Sequence, residues 1–447
     1  MRVTTWEVSK TEAVGENGMV AAKHPLAAEA GVRVLDDGGN AVDAAITIAL
    51  AMGVLEPYMN GVGGGGFMLF HDATSGANHF LDYFMPAPRA ATPDMYDLID
   101  GGATDVLGFS GVKDDANYYG YGSIGVPGLV AGAARALDAF GTISLAEALE
   151  PSIRLAEDGY DVTWYSMLMA GRGMESISRF PATANIFLKD GKYLFRAADH
   201  RPADRIVQRD LATTLRLVAQ EGADPFYRGK VARAVVHDLR AHGNLISEED
   251  LAEYQPRLSE PRTISYRDGY ELVYGPGTGG STVAETFNIL EGFDFSDLNP
   301  NEAQALHLFI EAARIAYADR WQHQADEDYV DVPWQVLESK EYAAQRRSVI
   351  SQTRAAENVG AWQGGPFGSG LREGDGSCTT HLSVVDKDRS MVAITQTINM
   401  VWGSGVVVPG TGILFNDTMV LFDPRPGRAN SIAGGKRPLS SMTPFLV

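Results

Sequence analysis

Apolar positions divide this chain into a long helical part and a shorter β part near its end. Residues 25–38 begin at Pro25 and run into Gly38-Gly39. Proline at the first helical position and glycine past the last predict a helix there. A second helix is predicted from Ala41, with Val42, Ala45, Ile46, Ala49 and Leu50 recurring on one buried face. Phe67-Met68-Leu69-Phe70 reads as a strand. Helical spacing returns at 129–140, 144–158, 209–221, 229–242 and 302–320. In the last of these, Ala305, Leu306, Leu308, Phe309, Ala312, Ala313, Ile315 and Ala316 make a broad apolar face. His307 lies among them and reads as a satisfied core or groove histidine.

Residues 355–377 hold seven glycines and no helical or strand period. After them the pattern turns to β. Residues 381–386 read as a strand, 386–389 as a hairpin turn and 391–399 as the partner strand. A period of two puts Thr395, Thr397 and Asn399 on one face. The run Met391-Val392-Ala393-Ile394 is nearly all apolar, as where both sheet faces are covered. Thr is also simply a good strand former, so the threonines alone require no function. The last residues, Phe445-Leu446-Val447, read as a strand stopped partway, so a C-terminally incomplete chain is expected.

Residues 61–66 match G-x-G-x-x-G, the dinucleotide-binding pattern. No strand precedes them, and a strand follows where a helix is required, which argues against that site. The alternative is a loop that needs positive φ and close backbone approach. The 447 residues allow one large domain or up to about three. With 37 cationic and 57 anionic side chains the net charge is −20. Such a surface repels phosphate backbones and anionic membranes, so neither nucleic acid nor a membrane surface is an expected partner. The single cysteine, Cys378, precludes an intrachain disulfide. No apolar run reaches the ~18 residues of a membrane span. The first twenty residues lack an apolar leader core, making cytoplasmic the default, or periplasmic or secreted if a leader was trimmed. The nine histidines show no metal-ligand spacing, and no G-x-S-x-G elbow occurs.

The chemistry concentrates at Thr379-Thr380, between the glycine-rich coil and a strand. A hydroxyl nucleophile needs an adjacent base. Cutting the chain before Thr379 would supply one on the same residue, an α-amine with a reference pKa near ~8. Thr397 and Asn399 are placed to face Thr379 from the next strand.

These residues sit in a longer series of motifs. It comprises Pro25-Leu26-Ala27, Glu29-Ala30-Gly31, GGNAVDAA at 38–45, NGVGGGGF at 60–67, GVPGLVAG at 125–132, ARIAYADR at 313–320, TTHLSVVD at 379–386 and KRPLSSM at 436–442. In order and spanning nearly the whole chain, they resemble the γ-glutamyltransferase (glutathione hydrolase) family of N-terminal-nucleophile hydrolases. The resemblance implies an α+β fold, a four-layer αββα sandwich, from a precursor that cuts itself between Cys378 and Thr379. Residues 1–378 and 379–447 would be the large- and small-subunit segments of one domain. Thr379 would attack a γ-glutamyl-type amide such as glutathione, form an acyl-enzyme, and pass the acyl group to water, an amino acid or a peptide. Thr397 would position the nucleophile, Asn399 would contact the donor α-amino group, and Ser440 and Ser441 its α-carboxylate. The mechanism implies no metal or organic cofactor.

Three features depart from the family pattern. An arginine usual two residues after the Asp of the Leu81-Asp82-Tyr83 strand is replaced by Phe84, with Arg89 five residues further on. Thr418 and Leu421 stand where Gln and Asp commonly bind the donor amine, flanked by Asp417 and Asp423. A phenyl ring cannot supply a bidentate pair to a carboxylate. A less charged acyl donor, as in a cephalosporin-acylase-like branch, is therefore a second expectation, and an uncleaved ligand-binding pseudoenzyme a third. The resemblance also puts the oxyanion-hole glycines beyond Val447, so the 447 residues alone are expected to be nearly inactive.

Overall fold

A computed structural model describes residues 12–99, 108–357, 359–360 and 379–447. Strand β1 (Met19–Ala22) leads into helices α1 (Pro25–Asp36) and α2 (Ala41–Leu55). Strands β2 (Gly65–Asp72) and β3 (Ala77–Asp82) form a hairpin, followed by α3 (Leu129–Phe140) and α4 (Leu145–Asp158). Helices α5 (Arg209–Glu221) and α6 (Lys230–Ala241) precede strands β4 (Arg257–Ser259), β5 (Arg262–Tyr266) and β6 (Tyr270–Tyr274). Then come helices α7 (Gly280–Leu290), α8 (Ala303–His323) and α9 (Lys340–Arg347). Strands β7 (Thr380–Val385), β8 (Met391–Thr397) and β9 (Phe445–Leu446) complete the set used below.

Six strands form one antiparallel sheet in the order β1-β7-β8-β2-β3-β4, and β9-β6-β5 form a second. Alternation along β2 separates the layers. Met68 and Phe70 pack into the core around α2, whereas Phe67 and Leu69 meet Val273 of β6 and Met442. On β6, Val273 faces the first sheet, while Leu272 and Tyr274 pack on Ala284 of α7. Helix, sheet, sheet and helix are thus stacked as an α+β four-layer αββα sandwich, as expected. No helix among the described residues is long and apolar enough to cross a membrane.

The predicted helices are present, as is the hairpin, with its strands at Thr380–Val385 and Met391–Thr397. Gly38 ends α1 at φ 95°, the left-handed backbone that glycine adopts without a Cβ clash. His307 is satisfied, with Nε2 2.6 Å from the Ser351 carbonyl oxygen. Four expectations differ. Helix α2 buries all fifteen residues rather than one face, because α1, α3 and α4 surround it above the sheet. The face of α8 is narrower than its apolar residues, since only one stripe meets α7 and α9; Leu306 and Phe309 remain half exposed. None of the glycines in 61–66 has positive φ. They are required by close approach instead: a Cβ on Gly63 would lie 2.2 Å from the Leu414 carbonyl oxygen, and one on Gly64 2.2 Å from that of Thr397. Strand β8 stops at Thr397, so Asn399 lies beyond it at φ 76° and outside the two-residue alternation. Phe445 and Leu446 form a strand, as expected, and join β6 opposite Tyr274 and Val273.

Between α7 and α8, Glu285 and Asp319 bury their carboxyl groups against each other, near Tyr342 and Arg346 of α9. Burial, and then the Asp319 charge, hold the Glu285 carboxyl well above the usual carboxylate range. The folded form therefore keeps a proton that the unfolded chain releases near pH ~4.3, and stability falls as pH rises above that value. Glu285→Gln should flatten this fall and stabilise the protein by on the order of 1–3 kcal/mol at pH 8, with little effect at pH 4. Urea denaturation at the two pH values checks it; an equal shift at both would contradict the assignment.

Candidate active site

The site is built where β7, β8 and β2 reach one end of the sheet. Gln396 of β8 pairs with both Thr380 and Gly66, and Thr397 pairs with Gly65. Continuing the β7–β8 register by one residue sets Thr379 opposite Thr397. Directly opposed residues point to the same face. That face is the one carrying Phe67, paired with Thr395, and it is opposite to α2. Cys378 lies outside the described residues.

Thr380 points the other way. Its hydroxyl donates to Glu56 Oε2 at 3.2 Å, and Lys23 Nζ lies 3.4 Å from Glu56 Oε1. The Lys23 ammonium also sits 4.3 Å from the Tyr165 ring centre. Burial raises the Glu56 carboxyl and the Lys23 charge opposes that rise. Glu56 ends α2, so the helix, the strand start and β1's following residue are joined at one buried point. Alongside it, Gln396 Nε2 donates to the Ala49 carbonyl and to Asn60 Oδ1, both at 2.7 Å.

Thr397 is buried, and its Oγ1 accepts from the Asn399 N–H at 2.7 Å. Asn399 is also buried, with its Nδ2 lacking a protein partner among the described residues. Thr397 and Asn399 are thus in contact, and Thr379 is the residue preceding the Thr380–Gln396 pair at the same sheet end. Ser440 and Ser441 lie on the segment entering β9 of the second sheet, and their hydrogen bonds among the described residues run to Arg320, Met442 and Thr443, not to Thr397 or Asn399. Ser440 is buried, and its carbonyl accepts from Arg320 Nη2 at 2.7 Å. Arg320 is itself fully enclosed; burial pushes its guanidinium down to about 10. Ser441 is exposed.

Phe84 is buried and stacks on Phe67 with ring centres 5.0 Å apart. Leu421 and Met442 pack in the same cluster. Arg89 does not replace the missing arginine, because it pairs with Glu249, Asp250 and Glu253. Neither flanking carboxylate takes over from Leu421: Asp423 pairs with Arg425, and Asp417 Oδ1 accepts from the Met400 N–H at 3.0 Å. Thr418 is buried with its hydroxyl on the Met85 carbonyl at 3.3 Å. Beside Phe84 lies a cavity of about 240 Å³, lined by Phe67, Phe80, Asp82, Arg437 and Leu439 among others. Arg437 Nε is 3.6 Å from Asp82 Oδ1 there. Thr379, Thr397 and Ser440 do not line it. Among the described residues no cluster of His, Cys, Asp or Glu has the makings of a metal site.

Sequence reasoning missed Glu56, Lys23, Arg320 and the structural use of Asp417. One signal was available: Glu56 is the only carboxylate between Asp43 and Asp72. Such an isolated acid in an apolar stretch needs a buried partner. The β8–β2 apposition yields a test. Gly64→Ala would drive a methyl group into the Thr397 carbonyl oxygen, which must shift. Overpacking of this kind costs roughly 1–3 kcal/mol, so lower stability and slower chain cleavage are expected. A melting curve and a denaturing gel that both match the parent would rule out the close approach.

Comparison with known proteins now places the chain. The family model for gamma-glutamyltranspeptidase matches residues 27–447. An acylase ACY 1 proenzyme of Pseudomonas sp. (strain SE83) is 40% identical over 449 residues, covering 100% of this chain and 76% of its own length. A glutathione hydrolase proenzyme of Escherichia coli (strain K12) is 36% identical over 451 residues, covering 97% of this chain and 73% of its own. The crystal structure of cephalosporin acylase from Bacillus halodurans superposes with a TM-score of 0.83 at 31% identity, covering 98% of this chain and 76% of that one. The chain belongs to the gamma-glutamyltranspeptidase family of N-terminal-nucleophile hydrolases.

Proposed function

We propose that this protein is an amide hydrolase and acyltransferase whose nucleophile is Thr379, freed by self-cleavage of the Cys378–Thr379 bond. The observation that supports this reading is the β7–β8 register, whose terminal pair Thr380–Gln396 leaves Thr379 and Thr397 as the next residues at the sheet end. In the precursor, Thr379 Oγ attacks the Cys378 carbonyl, the peptide nitrogen leaves as the Thr379 amine, and water hydrolyses the resulting ester. In the mature site that amine takes the proton from Oγ as Oγ attacks the donor carbonyl. The amine of the scissile amide departs with the proton, leaving an acyl ester on Thr379. Water, an amino acid or a peptide then accepts the acyl group. Thr397 orients the nucleophile, while Asn399, Ser440 and Ser441 contact the donor.

Residues 1–378 and 379–447 become two fragments of one domain. Strand β7 is paired on both sides, to β1 and to β8, and β8 pairs with β2. A cut before Thr379 therefore leaves both fragments woven through one sheet. Protein expressed from its full reading frame should give two bands, the smaller beginning at Thr379, and Thr379→Ala should give one. A single band from the parent would favour the ligand-binding reading instead.

The donor has two readings. The first is a γ-glutamyl amide such as glutathione, in keeping with the glutathione hydrolase proenzymes among the relatives. The second, favoured by buried Phe84 with Leu421 packed in the same cluster, is a less charged, non-zwitterionic acyl group. An apolar wall leaves a zwitterion desolvated without partners. The acylases among the relatives support this second reading. It predicts faster turnover of a glutaryl than a γ-glutamyl anilide; both keep the carboxylate, so Phe84→Arg should raise kcat/KM for both by roughly 10-fold relative to an uncharged butyryl anilide. Turnover of the γ-glutamyl anilide alone by the parent would refute it.

A further inference from the structure

Past Thr397 the backbone takes a shape that L-residues rarely adopt. Asn399 sits at φ 76°, in the left-handed region. Asparagine tolerates that region better than most residues, yet the conformation persists only where surroundings impose it. Three hydrogen bonds do so. The Asn399 N–H donates to Thr397 Oγ1 at 2.7 Å, the Met400 N–H donates to Asp417 Oδ1 at 3.0 Å, and the Asp417 N–H donates to the Ile398 carbonyl at 3.2 Å. Asp417 therefore grips the residue on each side of Asn399, once with its side chain and once with its backbone.

Asp417 is in turn held by its own neighbours. Asn416 Nδ2 donates to the Gly63 carbonyl at 2.7 Å and to that of Gly125 at 3.0 Å. Thr418 is tied to Met85 as described above. Residues 416–418 thus form a fixed block on the glycine-rich loop, and Asp417 projects from it with no exposed surface. Asp417 Oδ2 has no protein partner among the described residues, so Oδ1 alone carries the side chain's hydrogen bond.

We infer that Asp417 is a positioning residue: it holds Asn399 in its left-handed turn and, through the Asn399 N–H on Thr397 Oγ1, sets the direction of the Thr397 hydroxyl facing Thr379. The inference rests on the reading of Thr379 as nucleophile. What the turn requires from Asp417 is an acceptor oxygen, not a negative charge. Burial holds this carboxyl well above the usual range, so a neutral side chain of the same shape serves equally.

The test compares the parent with Asp417→Asn and Asp417→Leu, all expressed from the full reading frame. Melting temperature, the time course of chain cleavage, and kcat and KM for the better of the two anilides are measured separately. Asp417→Asn keeps the acceptor and should stay within about 3-fold of the parent in every rate. Asp417→Leu keeps the volume but removes the acceptor. A folded Leu variant should lose roughly 10- to 100-fold in kcat, with a rise in KM as Asn399 moves. A Leu variant that cleaves itself and turns over within 3-fold of the parent overturns the inference. So does an Asn variant that falls as far as Leu. If the Leu variant does not fold, the crystal structure of Asp417→Ala decides: Asn399 still left-handed and still bonded to Thr397 contradicts the clamp, whereas negative φ at 399 supports it. If the parent itself neither cleaves nor turns over, the nucleophile reading fails, and the backbone of the Ala variant still judges Asp417 on its own.

Discussion

The pairing of β7 with β8 is the constraint on which the site depends. Side chains alternate along a strand, so a slip of one residue would exchange the two faces. Thr380 would then occupy the place of Thr379, and Thr379 would point at the end of α2. Both ends of the hairpin are pinned to that helix. At the open end Thr380 meets Glu56 and Gln396 meets Ala49. At the turn, Asp386 Oδ2 accepts the Ala41 N–H at 3.0 Å, placing a carboxylate at the N-terminus of α2 where the helix dipole favours it. A helix buried on every side makes a rigid reference for the strand above it.

The glycines of the 61–66 loop complete this constraint by what they lack. Gly63, Gly64 and Gly65 let the loop and the start of β2 lie against Leu414, Thr397 and Tyr83 backbone oxygens. Any side chain there would push the sheet end open. Charged groups behind the site are few and paired with care. Lys23 balances Glu56, and Arg320 spends its donors on the Ser440 and Thr278 carbonyls and on Gln324. Buried donors and acceptors of this kind cost about 1–3 kcal/mol each when left unmet, so they fix geometry as well as stability. Phe84 stacks on Phe67 between the two sheets, beside the Asp82–Arg437 pair.

Much of this was legible in the sequence because it is local. Periodicity located the helices, and the Thr pair between a glycine-rich run and a strand marked the proposed nucleophile. The motifs then ordered the whole fold. What stayed illegible depends on contacts distant in sequence. Whether Gly64 needs positive φ or close approach is decided by Thr397, more than three hundred residues away. The burial of α2 on all sides depends on α3 and α4, and the exposure of Leu306 and Phe309 on how few elements reach α8. The turn at Asn399 breaks strand alternation because Asp417 and Thr397 impose it. No propensity rule reports such a bond. Arg320 reads as an ordinary helix-end cation until Ser440 is brought against it.

The central claim is that Thr379 becomes a chain terminus and carries the acyl group on its own oxygen. Peptide mapping of enzyme quenched in acid during turnover of a slow donor tests it most directly. The account predicts the added acyl mass on the peptide whose first residue is Thr379, lost again on incubation with hydroxylamine. The same mass found on Ser440, Ser441 or an uncut peptide containing Cys378, or turnover with no adduct on Thr379 at any quench time, would contradict it.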